Sequence, residues 1–445
     1  MEYNWINNVA KLSNDHTSIV FNNEFNETIK PNSLPRTLIS LNFGNEFNQS
    51  IIPNSLSENL ITLIFRNKFD QKIESNALPK SLTTLLFGRD FNQGIDPNTL
   101  PENLIYLNFG WNFNQKIKPN SLPESLTFLI FGHYFNQKIE PNSLPKSLKS
   151  LIFGNDFNQK IEPNSLPELL KFLSFGNNFN QKIEPNSLPE SITSLKFGDE
   201  FNQKIDPNIL PESLTNLTFG SEFNQKIEPN ILPESLINLT FGDYYTQKIE
   251  PNSLPKSLTF LKFGFDFNQK IEPNTLPKNL SILIFIECFN QKIEPNSLPE
   301  SLTTLIFSNE FNQKIEPNSL PESLTNLTFG CKFNQDIDLN ILPPNLKYIE
   351  FNWIYIRSNI NISSYIEMVN NIPNYYDVKI FLSDNILGDE GPKCPIHVSY
   401  YEKTSWSSEI YEVINNYKHP IYDNITVLVN KETYQPYSFA KSALK

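Results

Sequence analysis

The sequence has 445 residues, a formal net charge of −12, 33 prolines and 36 phenylalanines. Because binding to phosphate needs a face rich in Lys and Arg, this acidic balance disfavours nucleic acid and anionic membrane surfaces as partners. The proline content and ordinary hydrophobic content indicate a packed protein with few long helices, and no stretch approaches the ~20 apolar residues of a membrane span.

Residues 1–24 are predicted to form an N-terminal cap. Leu12, Ile19 and Phe21 fall on apolar positions of the repeat that follows, so the segment reads as a degenerate first unit. A cap is needed because the open edge of a terminal strand invites aggregation. No basic stretch precedes an apolar run, so we expect no secretory signal.

The three cysteines, Cys288, Cys331 and Cys394, lie far apart and form no CxxC pair. They indicate neither a disulfide framework nor a zinc site. A reducing intracellular setting fits best, so we expect the protein in the cytoplasm, or in the host cytoplasm if it is viral.

A 22-residue repeat fills residues 25–352. Counted from the Phe of each "FN" pair, fifteen units follow one another without an insertion or deletion. The first positions are Phe25, Phe47, Phe69, Phe91, Phe113, Phe135, Phe157, Phe179, Phe201, Phe223, Tyr245, Phe267, Phe289, Phe311 and Phe333. Constant spacing means that each unit closes one turn of the same coil.

Each unit is predicted to hold one short strand and an extended return. Positions 1, 5, 10, 14, 17 and 19 are apolar in nearly every unit. The alternation of Leu327 and Phe329 predicts a strand with one buried face, and Pro317 and Pro321 exclude a helix before it. Because one unit cannot bury six large side chains alone, the units are expected to stack at the ~4.8 Å strand spacing.

Two sets of polar positions repeat almost as faithfully. Position 8 is always Asn, from Asn32 to Asn340, and Asn also recurs at position 2, as in Asn312, with Asp70 and Thr246 as exceptions. We interpret these positions as an asparagine ladder that satisfies backbone groups in a turn. A repeated ligand site is the alternative. Position 4 is mostly Lys and position 6 mostly Glu, and we expect these two charged stripes to neutralise each other as a solvated flank.

The stretch "FNQKIEPNSLPESLTNLTFG", Phe311 to Gly330, resembles the FNIP repeat, a 22-residue variant of the leucine-rich repeat. This family is typical of social amoebae and of the giant viruses that infect them. The resemblance implies a β-rich solenoid, a right-handed leucine-rich-repeat-like coil with a parallel sheet on its concave side. Some members carry an F-box or a kinase domain, but too few residues precede the repeats for an F-box and no kinase motifs are present.

Variation marks the face that stacking leaves free. In each strand position 17 points inward, so positions 16 and 18 point outward. If the units stack in register, aromatic and apolar residues at positions 16, 18, 21 and 22 gather in two clusters. The first cluster is Tyr106, Trp111, Phe128, Ile130, His133, Tyr134, Ile152 and Phe172. The second is Tyr244, Phe260, Phe265, Ile282, Ile284 and Ile306.

Exposed aromatic patches usually mark contact surfaces. We therefore hypothesise that a protein or peptide partner docks across Tyr106, Trp111 and Phe128. Two alternatives stay open: these residue types are also favoured in strands on any face, and the C-terminal region could fold over one cluster.

Residues 353–445 lose the repeat register and are predicted to form a small α/β domain or cap. Strands are predicted over 377–384 and 424–430, and amphipathic helices over 363–372 and 407–417. Cys394 and His397 could suggest a metal or nucleophile pair, but two nearby residues in a loop favour an ordinary loop.

No set of acid, base and nucleophile converges in this sequence, and no phosphate-binding glycine loop or HExxH motif occurs. We therefore expect a monomeric, non-enzymatic scaffold for protein–protein interaction, without cofactor or metal, that binds its partner through the concave face. The alternative is an enzymatic or regulatory C-terminal domain for which the solenoid is a targeting arm.

Overall fold

The computed structural model describes residues 9–330 and 341–353, five isolated residues (Ile6, Lys332, Phe333, Gln335 and Ile337) and four later strands. The chain divides into two compact units. The first unit holds Met1–Gln225 and Ile231–Leu236, and the second holds Lys226–Asn230 and Ile237–Lys445. No helix within the described residues combines the length and the apolar character that crossing a bilayer requires.

The first unit is a parallel β-solenoid that opens with one antiparallel hairpin. Strand β1 pairs antiparallel with β2, and from β2 each strand through β10 pairs in parallel with its counterpart one repeat later, as Tyr106 does with Phe128. The strands are β1 Ala10–Leu12, β2 Ser18–Phe21, β3 Ser40–Asn42, β4 Thr62–Ile64, β5 Thr84–Leu86, β6 Tyr106–Asn108, β7 Phe128–Ile130, β8 Ser150–Ile152, β9 Phe172–Ser174, β10 Ser194–Lys196 and β11 Asn216–Thr218.

The second unit contains a coil of the same kind and ends in a mixed sheet. Parallel pairing runs from β12 to β18, after which β18, β19, β21 and β20 pair antiparallel in that order. The strands are β12 Asn238–Thr240, β13 Phe260–Lys262, β14 Ile282–Ile284, β15 Thr304–Ile306, β16 Asn326–Phe329, β17 Tyr348–Trp353, β18 Asp377–Leu382, β19 Ile396–Ser399, β20 Tyr411–Val413 and β21 Thr426–Asn430.

The predicted core positions are confirmed. Leu129, at position 17, is fully buried between half-buried neighbours, which is the pattern expected of a strand with one inward face. Positions 1 and 19 form two columns of parallel phenylalanine rings. Phe131 and Phe135 stack with ring centroids 3.8 Å apart, and Phe131 lies 5.7 Å from Phe153 of the next repeat. The repeated burial of these rings is the main stabilising term of the coil.

The predicted asparagine ladder is confirmed at position 2 but not at position 8. Asn136 Oδ1 accepts hydrogen bonds from the backbone N–H of Asn158 at 3.0 Å and from Gln159 Nε2 at 2.9 Å, both in the next repeat. Position 8 instead adopts a left-handed backbone, with a φ of 63° at Asn142. Asn is fixed there because it tolerates this conformation better than other residues with a side chain.

The two charged stripes do neutralise each other, as predicted. Lys138 Nζ lies 3.7 Å from the Glu162 carboxylate and Lys182 Nζ lies 3.0 Å from that of Asp206, so each pair joins neighbouring repeats. The side chains remain about half exposed, and such pairs contribute only about 0–1 kcal/mol each. The stripes therefore form a solvated flank of the coil.

The ends differ from the prediction in two places. Leu12, expected at an inward repeat position, lies in β1 opposite Ile19, because the chain makes an antiparallel hairpin where a repeat would make its return. In the C-terminal region, strand β20 Tyr411–Val413 lies inside the predicted helix 407–417, so that helix is wrong at these residues. Tyr411 and Val413, which flank Glu412, are two residues apart, and this spacing also fits the alternation of a strand.

Strands β18 and β21 lie within the two predicted C-terminal strands. The other predicted helix, 363–372, lies outside the described residues, as do Cys394 and the segment around it. The assignment of 353–445 to a small α/β domain or cap stays a prediction.

Candidate interaction surface

A short turn after each strand presents two variable side chains to solvent. In the repeat that contains strand β6, the sequence is Phe109-Gly110-Trp111-Asn112-Phe113. Both phenylalanines are buried and stack with centroids 3.8 Å apart, and the Phe113 N–H donates to the Gly110 carbonyl at 3.2 Å. Since the turn is held at both ends, positions 21 and 22 project outward. We call these turns the rim.

Neighbouring rim turns are also tied to each other. The Asn112 N–H donates to the Arg89 carbonyl at 2.8 Å, and the Tyr134 N–H donates to the Trp111 carbonyl at 3.0 Å. Each rim turn is thus hydrogen-bonded to the turn before it. Side chains at position 21 are therefore held side by side on a regular backbone.

Three aromatic side chains meet on the rim. The Trp111 and His133 rings stack with centroids 4.2 Å apart and an interplanar angle of 12°. Tyr134 packs its ring edge-on against both, with centroids 6.5 Å from Trp111 and 4.9 Å from His133. Trp111 is 48% exposed and Tyr134 46% exposed. Since the rings support one another, this aromatic surface is preformed.

A second aromatic pair lies on the outward face of the strands. Tyr106 and Phe128 occupy position 16 of adjacent strands and stack with centroids 5.0 Å apart. Ile130 and Ile152 are register neighbours at position 18 on the same face, and all four side chains are half-buried. The prediction that side chains at positions 16 and 18 point outward is therefore confirmed.

The remaining candidates are more dispersed. Phe172 is separated from Phe128 by the small side chain of Ser150 in the register of the sheet. Phe260 and Phe265 belong to the second unit, where Phe260 is half-buried and Phe265 is 46% exposed. The first cluster thus consists of a strand-face pair, a rim group and flanking aliphatic residues.

An open groove of about 540 Å³ runs along the rim. Buried phenylalanines and a row of glycines form its floor, and polar and aromatic side chains at positions 18 and 21 line its sides. The lining residues are Asn67, Phe87, Gly88, Arg89, Asn108, Phe109, Gly110, Trp111, Phe131, Gly132 and His133. The glycines are required because a Cβ on Gly110 would overlap the backbone carbonyl of Gly88.

Sequence reasoning missed the polar part of this groove. Arg89 and Asn108 stand at variable positions, but neither was assigned a role. Arg66 stands at position 20, where most repeats have glycine, and its Nε donates to Asn42 Oδ1 at 3.0 Å. The departure from glycine at Arg66 was the signal that could have drawn attention to this stretch.

The surface has the composition of a binding site, with exposed aromatic rings, the exposed side chain of Arg89 and an open groove. His133 Nδ1 is buried and has no hydrogen-bond partner among the described residues. Over the same part of the chain, no group of three or more His, Cys, Asp or Glu side chains is placed to hold a metal ion. The arrangement can offer stacking, an apolar surface and cationic hydrogen-bond donors.

Comparisons with known proteins agree with the coil. The profile of the FNIP Repeat family matches residues 11–46, 47–90, 91–134, 135–178, 179–222, 223–266, 267–310 and 311–353. These matches follow one another without a gap and cover well over half of the chain. Among curated proteins none matches the chain.

One solved structure gives the same result for the fold. The crystal structure of CroV588, from the giant virus CroV, is described as a novel circular LRR protein structure. It is similar to this chain with 46% sequence identity and a TM-score of 0.66, over 77% of this chain. The chain spans only 57% of CroV588. An internalin, InlF of Listeria monocytogenes, matches at 15% identity and a TM-score of 0.35, over 83% of this chain and 87% of its own.

Proposed function

The chain belongs to the FNIP repeat family, and on that premise we propose that it is a non-enzymatic scaffold that binds a protein or peptide partner. Its leucine-rich-repeat-like solenoid is a fold commonly used for protein–protein interaction. The proposed contact surface is the outward strand face with the adjoining rim, centred on Tyr106, Trp111 and Phe128.

The observation that carries this proposal is the preformed aromatic surface. Trp111 is 48% exposed although it is a large apolar side chain, and it is held by stacking on His133. Exposed Trp and Tyr on rigid backbone are enriched among residues that dominate binding energy, because they bury much area and lose little conformational entropy. A partner that covers these rings gains this area without reorganising the coil.

The charge of the protein limits the kind of partner. With a formal net charge of −12, the whole molecule repels nucleic acid and anionic membranes at long range. A protein partner is compatible with this charge, because protein interfaces depend on buried aromatic area and local complementarity.

The test is proximity labelling in the native cell, comparing the full chain with a variant that carries Tyr106→Ser, Trp111→Ser and Phe128→Ser. A matched control replaces three residues on the same positions of a polar stretch, Ser194→Ala, Asp199→Ala and Asn216→Ala. We expect a set of labelled proteins that the triple serine variant loses and the control keeps. Identical labelling by both would favour binding elsewhere on the chain, residues 353–445 included.

A further inference from the structure

Within the first unit the rim has one stretch of positive charge, although the protein is acidic. Of the four arginines in the chain, Arg66 and Arg89 lie on consecutive rim turns. Further along the first unit, positions 21 and 22 of the rim carry Asp156, Asp199 and Glu200. The groove therefore combines a cationic end with an aromatic end, and the rim beyond it is acidic.

The Arg89 side chain is available for a ligand, and Arg66 is held beside it by the bond from its Nε to Asn42 Oδ1. Both are exposed, and neither guanidinium forms an ion pair with a carboxylate among the described residues. The nearest rim carboxylate in sequence, Asp90, instead pairs with Lys68 Nζ at 3.5 Å and accepts a hydrogen bond from Asn112 Nδ2 at 3.3 Å. Because Asp90 is engaged elsewhere, the charge of Arg89 stays uncompensated within the groove.

The aromatic end supplies a different contact. Trp111 leaves about half of its surface open to solvent above the glycine floor. His133 stacks on Trp111, and its buried Nδ1 has no hydrogen-bond partner among the described residues. A ligand in the groove can therefore bury an apolar or planar group on Trp111.

From these contacts we infer that the groove between Arg89 and His133 binds an extended acidic peptide segment of the partner. The carboxylates of the peptide pair with Arg66 and Arg89, which suit the forked geometry of carboxylate recognition. A neighbouring residue of the peptide packs on Trp111. The inference rests on the proposed function and names the chemistry of its partner.

The length and direction of the groove fit such a segment. Three repeat steps separate Asn67 from His133 at position 21, which is ~14 Å at the ~4.8 Å strand spacing and matches about four extended residues. The carboxylates at Asp156, Asp199 and Glu200 repel an acidic peptide from the rim further along. Charge complementarity thus sets where on the rim the peptide stops.

The experiment selects peptides without assuming their sequence. A phage-displayed library of random decapeptides is panned against the full-length chain, and recovered peptides are measured by fluorescence anisotropy. We expect them to be enriched in Asp and Glu and to bind more weakly as salt rises. Failure to recover binders, or recovery of peptides without acidic enrichment, would overturn the inference.

The matched variants come from the repeat itself. Arg66→Gly with Arg89→Asn installs residues that other repeats carry at these positions, and Arg36→Glu does the same at position 12. Both variants lower the net charge by two, so they differ in where the charge is lost. We expect the first to bind the selected peptides about tenfold more weakly or worse, and Arg36→Glu to stay within about twofold. Equal binding by both would contradict the inference.

Two further measurements separate the outcomes. A fluorescent uridine decamer that bound more tightly than the selected peptides would overturn the peptide assignment in favour of single-stranded nucleic acid. If the native partners are lost by the triple serine variant but kept by Arg66→Gly/Arg89→Asn, the proposed function stands and the acidic-peptide inference falls.

Discussion

Two stretches of the first unit share one backbone and differ in their surface. At the rim, residues 110–112 and 132–134 present Trp, His and Tyr, whereas 154–156 and 176–178 present Asn and Asp. Beneath both, the phenylalanine pairs stack at 3.8 Å, as Phe131–Phe135 and Phe175–Phe179. The turn bonds, to the Gly132 and Gly176 carbonyls, measure 3.0 and 3.1 Å.

The comparison shows that stability and recognition are assigned to different positions of the repeat. Buried phenylalanine and leucine, rim glycine and the position-2 asparagine are the same in both stretches, while positions 16, 18, 21 and 22 vary. Because the coil repeats with one length, the aromatic stretch has a polar counterpart in the same molecule. Each substitution below therefore has an internal control.

The largest effect is expected from the shared phenylalanine stack. Phe131→Ala and Phe175→Ala each remove a ring that is 2–3% exposed, so each should lower the free energy of unfolding by about 3–5 kcal/mol. Urea denaturation of both variants measures this change in the free energy of unfolding. A loss confined to one stretch would show that the two are not equivalent.

A smaller loss is expected at the rim glycines. Gly110→Ala and Gly176→Ala each place a Cβ against the backbone of the preceding repeat, which should cost about 1–3 kcal/mol of unfolding free energy. Gly94→Ala is the matched control, because a Cβ there meets nothing, and it should lie within ~0.5 kcal/mol of the wild type. Thermal and urea midpoints distinguish these results, and equal midpoints for Gly94→Ala and Gly110→Ala would contradict the close stacking.

Substitutions at the two asparagine positions separate a hydrogen-bonded ladder from a backbone requirement. Asn136→Ala removes the acceptor of two bonds and should cost about 1–3 kcal/mol of stability. Asn142→Gly should leave stability nearly unchanged, because glycine accepts the φ of 63°, whereas Asn142→Ala should cost about 1–2 kcal/mol. Urea denaturation measures the free energy of unfolding of the three variants. A large loss of stability in Asn142→Gly would show that the Asn142 side chain, and not only its backbone conformation, stabilises the coil.

The smallest effect on stability is expected where the two stretches differ. Trp111→Ala and Asn177→Ala both change exposed rim residues, so each should alter the free energy of unfolding by about 0.5 kcal/mol or less. Only Trp111→Ala should weaken capture of the partner in a pull-down with the full chain. A stability loss of several kcal/mol for Trp111→Ala would show that this ring stabilises the fold and is not reserved for binding.

The strength of the repeat explains which features could be read from the sequence. The apolar positions pin the register, because a slip of one residue would turn Leu129 outward, and so the strands and the outward residues were predictable. The charged flank followed from two complementary columns two residues apart, at positions 4 and 6. Both features depend on spacing alone, which a sequence displays directly.

Other features depend on geometry that spacing does not show. Invariant Asn142 is compatible with a ladder and with a left-handed backbone, and only its φ decides between them. The buried Nδ1 of His133 results from stacking beside Trp111 on a neighbouring turn. Arg66 lies on the rim turn next to that of Arg89, which lines the groove, and these consecutive turns are hydrogen-bonded together, which neither residue reveals by itself.

The direction of the bonds outside the sheet has a consequence for how the protein is made. At position 2 and on the rim, donors of each turn point back to acceptors in the turn before it, as from Asn158 N–H to Asn136 Oδ1. During synthesis the amino-terminal repeats leave the ribosome first. Each further 22 residues can therefore form hydrogen bonds to acceptors in a repeat that has already folded. Synthesis and docking can proceed in the same direction, with the hairpin at residues 10–21 as the starting seed.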